Sequence, residues 1–328
     1  MRILHVHLSH LSLPPTKYGG TERVIWALYR GQHAMGHQIR FLWKQNSSMP
    51  AETQVYDPSV SMEEQIGTWP DVVHFHWPFE GALNKPFVCT EHGNANLPRD
   101  YPLNTVFLSR KHAENHGASY WIYNGLDWSD YGEPDLGNSK AYCHFLGKAK
   151  AKVKNLQGAV EIARRANRSL HVLGGHRITL RRNPYICFNP KVHFHGMVGG
   201  HKKNALIRGS AALIAPARWH EPFGLAIIES LYLGTPVIAT AYGALPELIP
   251  DPAMGILSNR YDTLAAAASD TSKFDRKACH NWAKTRFDML TMARHYQSAY
   301  ERVIEGETLN SIPPKTGQGH IDLLPVEE

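Results

Sequence analysis

The chain has 328 residues, of which 43% are hydrophobic, and a formal net charge of +6 at pH 7. One hydrophobic core does not usually fill a chain of this length, so two domains are expected. The sequence contains no apolar run of about 18 residues, which argues against a membrane-spanning helix. The apolar run at residues 2–8 is too short for a signal peptide and predicts a first strand. Four scattered cysteines without a C-x-x-C pair are typical of reduced thiols in a cytoplasmic protein.

Strand and helix patterns alternate through the first half, which predicts a parallel sheet with helices on both faces. Short apolar runs predict strands at residues 3–8, 39–43, 72–75, 87–90, 106–109 and 120–123. A helix is predicted over residues 21–35, between the paired glycines Gly19 and Gly20 and the stop signal Gly36.

A second alternation follows turn-forming residues at 132–139. It predicts strands at residues 142–146, 170–173, 192–195, 211–215 and 236–239, then helices at 261–268, 276–287 and 291–304. We therefore predict an N-terminal domain over residues 1–138, a second domain over 139–290, and a C-terminal helix within 291–328 that returns toward the first domain. The tail after Gly306 is expected to be poorly ordered.

Two carboxylates, Glu221 and Glu229, stand eight residues apart in one strand–helix–strand segment. The surrounding residues have the pattern of core packing, and a buried charge is costly without a partner. The turn around Pro222 places Glu221 in a loop and Glu229 in the helix, roughly 9 Å further along its axis. This span suits a sugar nucleotide. Glu221 would bind the hexose and Glu229 the ribose.

The start of this helix predicts a phosphate site. Free N–H groups around Phe223, Gly224 and Leu225 and the positive end of the helix dipole would face the phosphates.

At these residues the chain resembles retaining glycosyltransferases of family 4, also called group 1 glycosyltransferases. Their E-x7-E motif stands here within EPFGLAIIES, followed by the strand LGTPVIA and the turn GALPEL. The resemblance extends from residue 17 to about residue 305. It implies the GT-B fold, an α/β fold with two doubly wound, Rossmann-like parallel-sheet domains facing a central cleft. Ligands bind at the carboxyl ends of such strands.

The resemblance also implies two basic positions that neutralise the donor diphosphate. They correspond to Lys148 and Lys154, just after the strand at 142–146. The family has arginine at the first position, and lysine supplies charge there without arginine's bidentate fork. Lys150 and Lys152 are neighbouring candidates for the same role.

Three further contacts are implied by the resemblance. Gly19 and Gly20 form a loop where backbone N–H groups can approach a phosphate or sugar. His92 would hydrogen-bond the donor sugar and stabilise positive charge near the anomeric carbon, with His76 as the competing candidate. Loops carrying Gly174, and Met197 with Val198, would hold the base through backbone groups.

A basic run at residues 148–168 contains seven Lys and Arg, with apolar residues on one helical face. A solvated helix surface and contact with anionic lipid or diphosphate remain alternative interpretations. Nucleic acid is not expected, because no aromatic residues interleave with the bases. The 20 histidines show no metal-ligand spacing and no D-x-D pair occurs, so no metal is expected.

The sequence therefore predicts a retaining, metal-independent transfer of a hexose from a nucleoside diphosphate sugar, with UDP or GDP as the expected nucleotide and no other cofactor. His92, Glu221 and Lys154 are the predicted catalytic residues. The acceptor would be a hydroxyl group of a glycan, lipid or small molecule in glycan, glycolipid or secondary-metabolite biosynthesis. A sugar-nucleotide epimerase or hydrolase of the same fold, and a non-catalytic sugar-nucleotide-binding protein, remain alternatives. A cytoplasmic location is expected, with peripheral contact at the inner face of the membrane left open.

Overall fold

The computed structural model describes residues 1–15, 19–44, 52–95, 97–137, 141–180, 184–316 and 323–328. The described residues form two compact units. The first comprises those within Met1–Asp127 and Phe287–His320, and the second those within Trp128–Arg286 and Ile321–Glu328. The chain thus passes from one unit to the other after Asp127 and again after Arg286. Both boundaries lie earlier in the chain than the predicted limits at residues 138 and 290.

Each unit contains a six-stranded parallel sheet, which confirms the predicted α/β class. The first sheet has the order β3-β2-β1-β4-β5-β6 and is formed by β1 (Arg2–His7), β2 (Gln38–Trp43), β3 (Glu52–Val55), β4 (Val72–Phe75), β5 (Phe87–Thr90) and β6 (Thr105–Val106). The second has the order β11-β8-β7-β12-β13-β14 and is formed by β7 (Tyr142–Leu146), β8 (Ser169–Leu173), β11 (Val192–Phe194), β12 (Leu213–Ala215), β13 (Val237–Ala239) and β14 (Gly255–Leu257). A separate antiparallel hairpin joins β9 (Ile178–Thr179) to β10 (Tyr185–Ile186).

Helices connect the strands. Those of the first unit are α1 (Gly20–Ala34), α2 (Met62–Ile66), α3 (Arg110–Glu114) and α10 (Met289–Ile304). Those of the second are α4 (Leu156–Arg165), α5 (Gly200–Arg208), α6 (Leu225–Tyr232), α7 (Leu245–Leu248), α8 (Tyr261–Ser269) and α9 (Arg276–Arg286). No helix in the described ranges has both the length and the apolar character needed to cross a bilayer.

The returning helix α10 packs closely on α1. A Cβ added at Gly31 of α1 would lie 2.7 Å from the carbonyl oxygen of Met289 and 2.9 Å from the Cβ of Ala293. The missing side chain at Gly31 therefore allows the two backbones to approach each other.

Several predicted elements differ from the structure. The strand predicted at 120–123 is reduced to a single bridge between Phe107 and Trp121, and the one predicted at 106–109 is the two-residue β6. Strands β3 and β14 and the β9–β10 hairpin had no counterpart in the prediction. They are short, and the periodicity of a few residues does not distinguish a strand from a loop.

The expectation of a poorly ordered tail after Gly306 is wrong for its described residues. Leu309 and Asn310 are buried. The Asn310 amide donates to the carbonyl oxygens of Leu103 and Thr105, at 2.8 and 2.9 Å. These hydrogen bonds attach the tail to the first unit. Residues 317–322 lie outside the described part of the chain.

Replacing Gly31 with alanine should lower the free energy of unfolding by ~1–3 kcal/mol, because the added methyl overpacks the contact between α1 and α10. Urea unfolding measures this change. The control is Ala34→Ser at an exposed position of the same helix, where a shift within about 0.5 kcal/mol is expected. Equal stabilities of the two variants would contradict the close helix contact.

Candidate functional site

The loop between β12 and α6 holds Glu221 in a fixed position. Gly224 caps α6 with φ 117°, a conformation that favours glycine, and Phe223 is buried beside it. A Cβ at Gly243 would lie 2.3 Å from the Glu221 nitrogen, and the Ala244 N–H donates to the Glu221 carbonyl at 2.9 Å. The glycine thus lets a second loop brace the Glu221 backbone next to the start of α6.

The Glu221 carboxylate forms an ion pair with the predicted phosphate ligand Lys154. Lys154 Nζ lies 2.6 Å from Glu221 Oε2, and the Trp219 indole N–H donates to the same oxygen at 2.8 Å. The ammonium also lies 5.0 Å from the centroid of the Trp219 ring, a cation–π contact. The Glu221 side chain is 12% exposed and that of Lys154 32%, so solvent and ligands can reach the pair. The role of Trp219 was not predicted from the sequence, where the only indication of it is an aromatic residue two positions before Glu221.

The turn before α4 presents Lys154. Residues Lys152–Lys154 form a short 3-10 turn that ends at Asn155, which has φ 56° and accepts a hydrogen bond from the Gly158 N–H at the start of α4. The Arg218 N–H donates to the Val153 carbonyl at 2.7 Å and so ties this turn to the loop that carries Trp219 and Glu221.

The periodicity of the basic run at 148–168 had predicted one continuous helix, but the structure shows that the run is not one. Lys148 lies exposed in the loop after β7, and α4 starts only at Leu156. Within α4, Arg164 and Arg165 both pair with Glu161, at 2.7 and 2.8 Å. Arg165 also pairs with Asp262 at 2.7 Å and with Glu328. Much of the positive charge on this helix is thus neutralised within the protein.

The loops predicted to hold the base end two neighbouring strands. Gly174, after β8, has φ 139°, and a Cβ there would lie 2.0 Å from the Gly147 carbonyl oxygen, so only glycine fits against the loop after β7. Met197 is 40% exposed and Val198 is partly buried after β11. Because β7, β8, β11 and β12 are parallel, the loops with Lys148, Gly174, Met197 and Glu221 all lie at the carboxyl edge of this sheet.

Glu229, the second motif carboxylate, is buried and paired within the protein. Its Oε1 accepts from Lys203 Nζ and from the Tyr131 hydroxyl, each at 2.5 Å. Lys203 Nζ lies 4.8 Å from the Tyr131 ring centroid. The sequence had suggested that a ligand would balance this buried charge, but a cation and a hydroxyl of the chain already do so. The ribose contact of Glu229 stays a prediction.

In the first unit, the Gly19–Gly20 loop borders a buried carboxylate that sequence reasoning did not single out. Gly19 has φ 147° at the start of α1. Glu22 accepts from the Ser9 hydroxyl at 2.6 Å and lies 3.7 Å from His7 Nε2. Burial raises the pKa of Glu22, but hydrogen bonds from His7 and Ser9 outweigh it and leave the pKa below its ordinary value. Glu22 is therefore an ionised acceptor beside the glycine loop.

The predicted catalytic residue His92 ends a buried chain of hydrogen bonds. His92 Nε2 bonds His76 Nδ1 at 3.0 Å, His76 Nε2 bonds His5 Nδ1 at 3.0 Å, and His5 Nε2 bonds Gln32 Oε1 at 2.8 Å. Desolvation lowers the pKa of His5 to about 4, that of His92 to about 3, and that of His76 well below its usual value. All three rings are therefore neutral near pH 7. His76, the competing candidate for the sugar contact, is the link behind His92.

The neutral rings and Gln32 fix the direction of these bonds. Gln32 Nε2 donates to the Tyr300 hydroxyl at 3.0 Å, so Gln32 Oε1 accepts from His5. A neutral imidazole donates from one nitrogen and accepts at the other. His92 consequently donates from Nε2 to His76, and its Nδ1 keeps a lone pair. This buried Nδ1 has no hydrogen-bond partner among the described residues and can accept from a hydroxyl.

Nitrogen atoms of His5, His74 and His76 lie within 4.8 Å of one another, close enough to hold a metal ion. His74 bonds the Tyr300 hydroxyl and the Thr90 hydroxyl, each at 2.7 Å. With the bonds already described, all six ring nitrogens have hydrogen-bond partners. The cluster is built as a hydrogen-bond network.

Sequence comparison assigns part of the second unit to a known family model. Residues 139–273 match the model described as Glycosyl transferases group 1. An uncharacterized 41.2 kDa protein in the cps region of Klebsiella pneumoniae is 32% identical over 116 residues, 34% of this chain and 32% of that protein. The D-inositol 3-phosphate glycosyltransferase of Corynebacterium kroppenstedtii is 33% identical over 107 residues, 30% of this chain and 24% of that enzyme. The matched segments span about a quarter to a third of these relatives.

Solved structures resemble the chain over nearly its whole length. AviGT4, a glycosyltransferase involved in avilamycin A biosynthesis, has a TM-score of 0.74 at 20% identity and covers 94% of this chain and 99% of its own. Anabaena HepE in complex with UDP-glucose has a TM-score of 0.64 at 15% identity, with coverages of 92% and 99%. At these identities the likeness shows the fold, which is that of GT-B glycosyltransferases.

Replacing Lys203 with methionine should destabilise the protein by ~3–5 kcal/mol, because Glu229 would be left as a buried charge without its cation. Urea unfolding tests this. Adding Glu229→Gln to the Lys203→Met variant should recover most of the loss, since the remaining amide needs no counter-charge. If the double variant is as unstable as the single one, lost packing rather than the ion pair is responsible.

The free energy of unfolding should fall as the pH decreases from 6.5 toward 4. The unfolded chain protonates its histidines near pH 6.5, whereas His5 and His92 in the folded protein protonate at about 4 and 3. Each such histidine contributes up to ~1.4 kcal/mol per pH unit. Glu91 acts in the opposite direction, because burial raises its pKa to about 7 and the folded state holds its proton. Urea unfolding at several pH values should show that the free energy of unfolding depends less steeply on pH in His5→Asn. An equal change in the exposed His10→Asn would contradict this origin.

Proposed function

We propose that the protein is a metal-independent, retaining glycosyltransferase that moves a hexose from a nucleoside diphosphate sugar to an acceptor hydroxyl. The Lys154–Glu221 ion pair carries the proposal. It combines a cation for the diphosphate with a carboxylate for the sugar at the start of α6, inside the segment that matches the group 1 glycosyltransferase model.

Lys154 and the start of α6 would bind the diphosphate. The first N–H groups of a helix have no partner within it and carry partial positive charge, so those around Phe223, Gly224 and Leu225 favour an anion. Negative charge grows on the leaving diphosphate during transfer. A cation already held beside the site stabilises this charge without reorganising. The exposed Lys148 would add charge at the outer end of the diphosphate.

Glu221 would orient the hexose. Once the diphosphate attracts Lys154, the carboxylate can accept hydrogen bonds from sugar hydroxyls, while Trp219 continues to hold Oε2. The bond from the anomeric carbon to the phosphate oxygen breaks, and the bond to the acceptor oxygen forms on the same face. The acceptor proton passes to the leaving phosphate oxygen, so no separate base is needed.

The remaining predicted contacts complete the donor. The loops at Gly174, Met197 and Val198 would hold the base through backbone groups, and Glu229 would contact the ribose from the inner part of α6. UDP is the first nucleotide to test, because the structurally similar HepE has been crystallised with UDP and UDP-glucose. In the first unit, His92 would accept a hydrogen bond from a sugar hydroxyl at Nδ1, and Gly19 and Gly20 would contact a phosphate or sugar.

Replacing Lys154 with alanine should lower kcat by roughly 10²–10³-fold, as expected for loss of one preorganised group at a developing charge. Mass spectrometry of products formed from sugar nucleotides and candidate acceptors measures the rate. Lys152→Ala changes the exposed competing candidate two positions earlier, and this matched variant should keep near-normal turnover. Full turnover by the Lys154→Ala enzyme with any sugar nucleotide would refute the phosphate assignment.

The same product analysis separates the alternatives. Transfer gives a glycosylated acceptor, hydrolysis gives free sugar, epimerisation gives an isomeric sugar nucleotide, and simple binding gives no product. A thermal-shift screen with UDP, GDP, ADP and dTDP sugars identifies the donor, since a ligand at 100 times its dissociation constant stabilises the protein by about 2.7 kcal/mol.

A further inference from the structure

The β9–β10 hairpin has one face anchored on the second unit. Ile178 pairs with Ile186 and Thr179 with Tyr185 in an antiparallel register. Tyr185 and Cys187 pack against the hydrophobic core of this unit. The Arg177 guanidinium donates to the carbonyl oxygens of Cys187 and Asn189, at 2.7 and 3.1 Å. These contacts hold the hairpin in a defined orientation.

The opposite face carries four large apolar side chains that are exposed to solvent. They are Ile178, Leu180, Ile186 and Phe188, with exposed fractions of 55%, 76%, 51% and 85%. They alternate with the inward residues, and side chains two positions apart lie on the same face of an extended strand. The solvent-facing side of an antiparallel sheet normally carries polar residues. A contiguous apolar patch of this kind indicates a binding surface.

All the charged residues in the sequence around the hairpin are basic. Residues 162–220 contain no Asp or Glu, but they contain eleven Lys and Arg. Arg164, Arg165 and Lys203 pair with acidic residues outside the stretch, and the charge of the other eight of these eleven attracts anionic partners. The partner of the hairpin must therefore provide both an apolar region that these side chains can enter and negative charge.

We propose that this face, defined by Ile178, Leu180, Ile186 and Phe188, docks on an anionic lipid bilayer. The four side chains enter the interfacial region, and the net positive charge of the surrounding sequence attracts the anionic headgroups. An anionic bilayer supplies both properties at one surface. Nucleic acid matches the charge but not the aliphatic side chains of this face, because bases stack on aromatic rings and Phe188 is the only aromatic residue of the four.

The hairpin rather than α4 is thus the membrane-contacting element. The arginines of α4 are engaged in ion pairs with Glu161, Asp262 and Glu328, whereas the hairpin face has no apolar cover among the described residues. This docking is independent of the proposed transfer reaction, because vesicle binding requires neither donor nor acceptor.

Vesicle flotation with the full chain tests the proposal. Vesicles of phosphatidylcholine with about one-third phosphatidylglycerol should bind the protein, pure phosphatidylcholine should bind it much less, and added salt should weaken binding as it screens charge. The double variant Leu180→Ser, Phe188→Ser should bind the anionic vesicles at least about tenfold more weakly, because its apolar anchors are gone. Both positions are highly exposed, so the fold should be retained, as circular dichroism can verify.

Leu97→Ser is the matched control, since Leu97 is an equally exposed leucine, 75% accessible, in the first unit. It should leave vesicle binding unchanged. Equal binding by the double variant, or no binding of the wild-type chain to anionic vesicles, would overturn the proposal. A wild-type dimer that becomes monomeric in the double variant would assign the face to a second copy instead. Loss of DNA or RNA binding in that variant, without loss of vesicle binding, would assign it to nucleic acid.

Discussion

Parallel strand pairing is the constraint on which both units depend. Each six-stranded sheet contains only parallel pairs, so every strand ends at the same edge as its neighbours. Loops distant in sequence are therefore brought together at that edge. In the second unit this places the loop with Lys154 beside the loop with Glu221, although 67 positions separate the two residues. The chemistry of the candidate site is a consequence of this register.

The two carboxylates of the E-x7-E motif serve different physical roles. Glu221 is paired with a partly exposed lysine, so a diphosphate can compete for the cation. Glu229 is paired with Lys203, and both side chains are almost fully buried. Disrupting a buried pair leaves an uncompensated charge, which makes the second pair part of the framework of α6. A ligand approaching Glu229 would have to add to an existing hydrogen-bond arrangement.

Desolvation controls the chemistry of the first unit. Burial is the largest cause that keeps the imidazoles of His5, His76 and His92 neutral, and neighbouring histidines add to it at His76 and His92. Neutrality then forces a single direction of hydrogen bonding from His92 to Gln32. The orientation of one buried amide thus decides whether His92 offers a lone pair or an N–H at its outer nitrogen. Histidine can take either role at little cost, so such a network is required to define one of them.

Local sequence patterns are enough to specify the alternation of strands and helices and the two parallel sheets, because these follow from apolar periodicity. The packing of the elements decided the ion pair of Lys154 with Glu221, the partners of Glu229, the role of Trp219, the direction of the histidine chain and the exposed face of the β9–β10 hairpin. Lys203 and Tyr131 lie 26 and 98 positions from Glu229, and His5 lies 71 from His76. Contacts across such separations depend on how whole elements pack, and no local pattern specifies them.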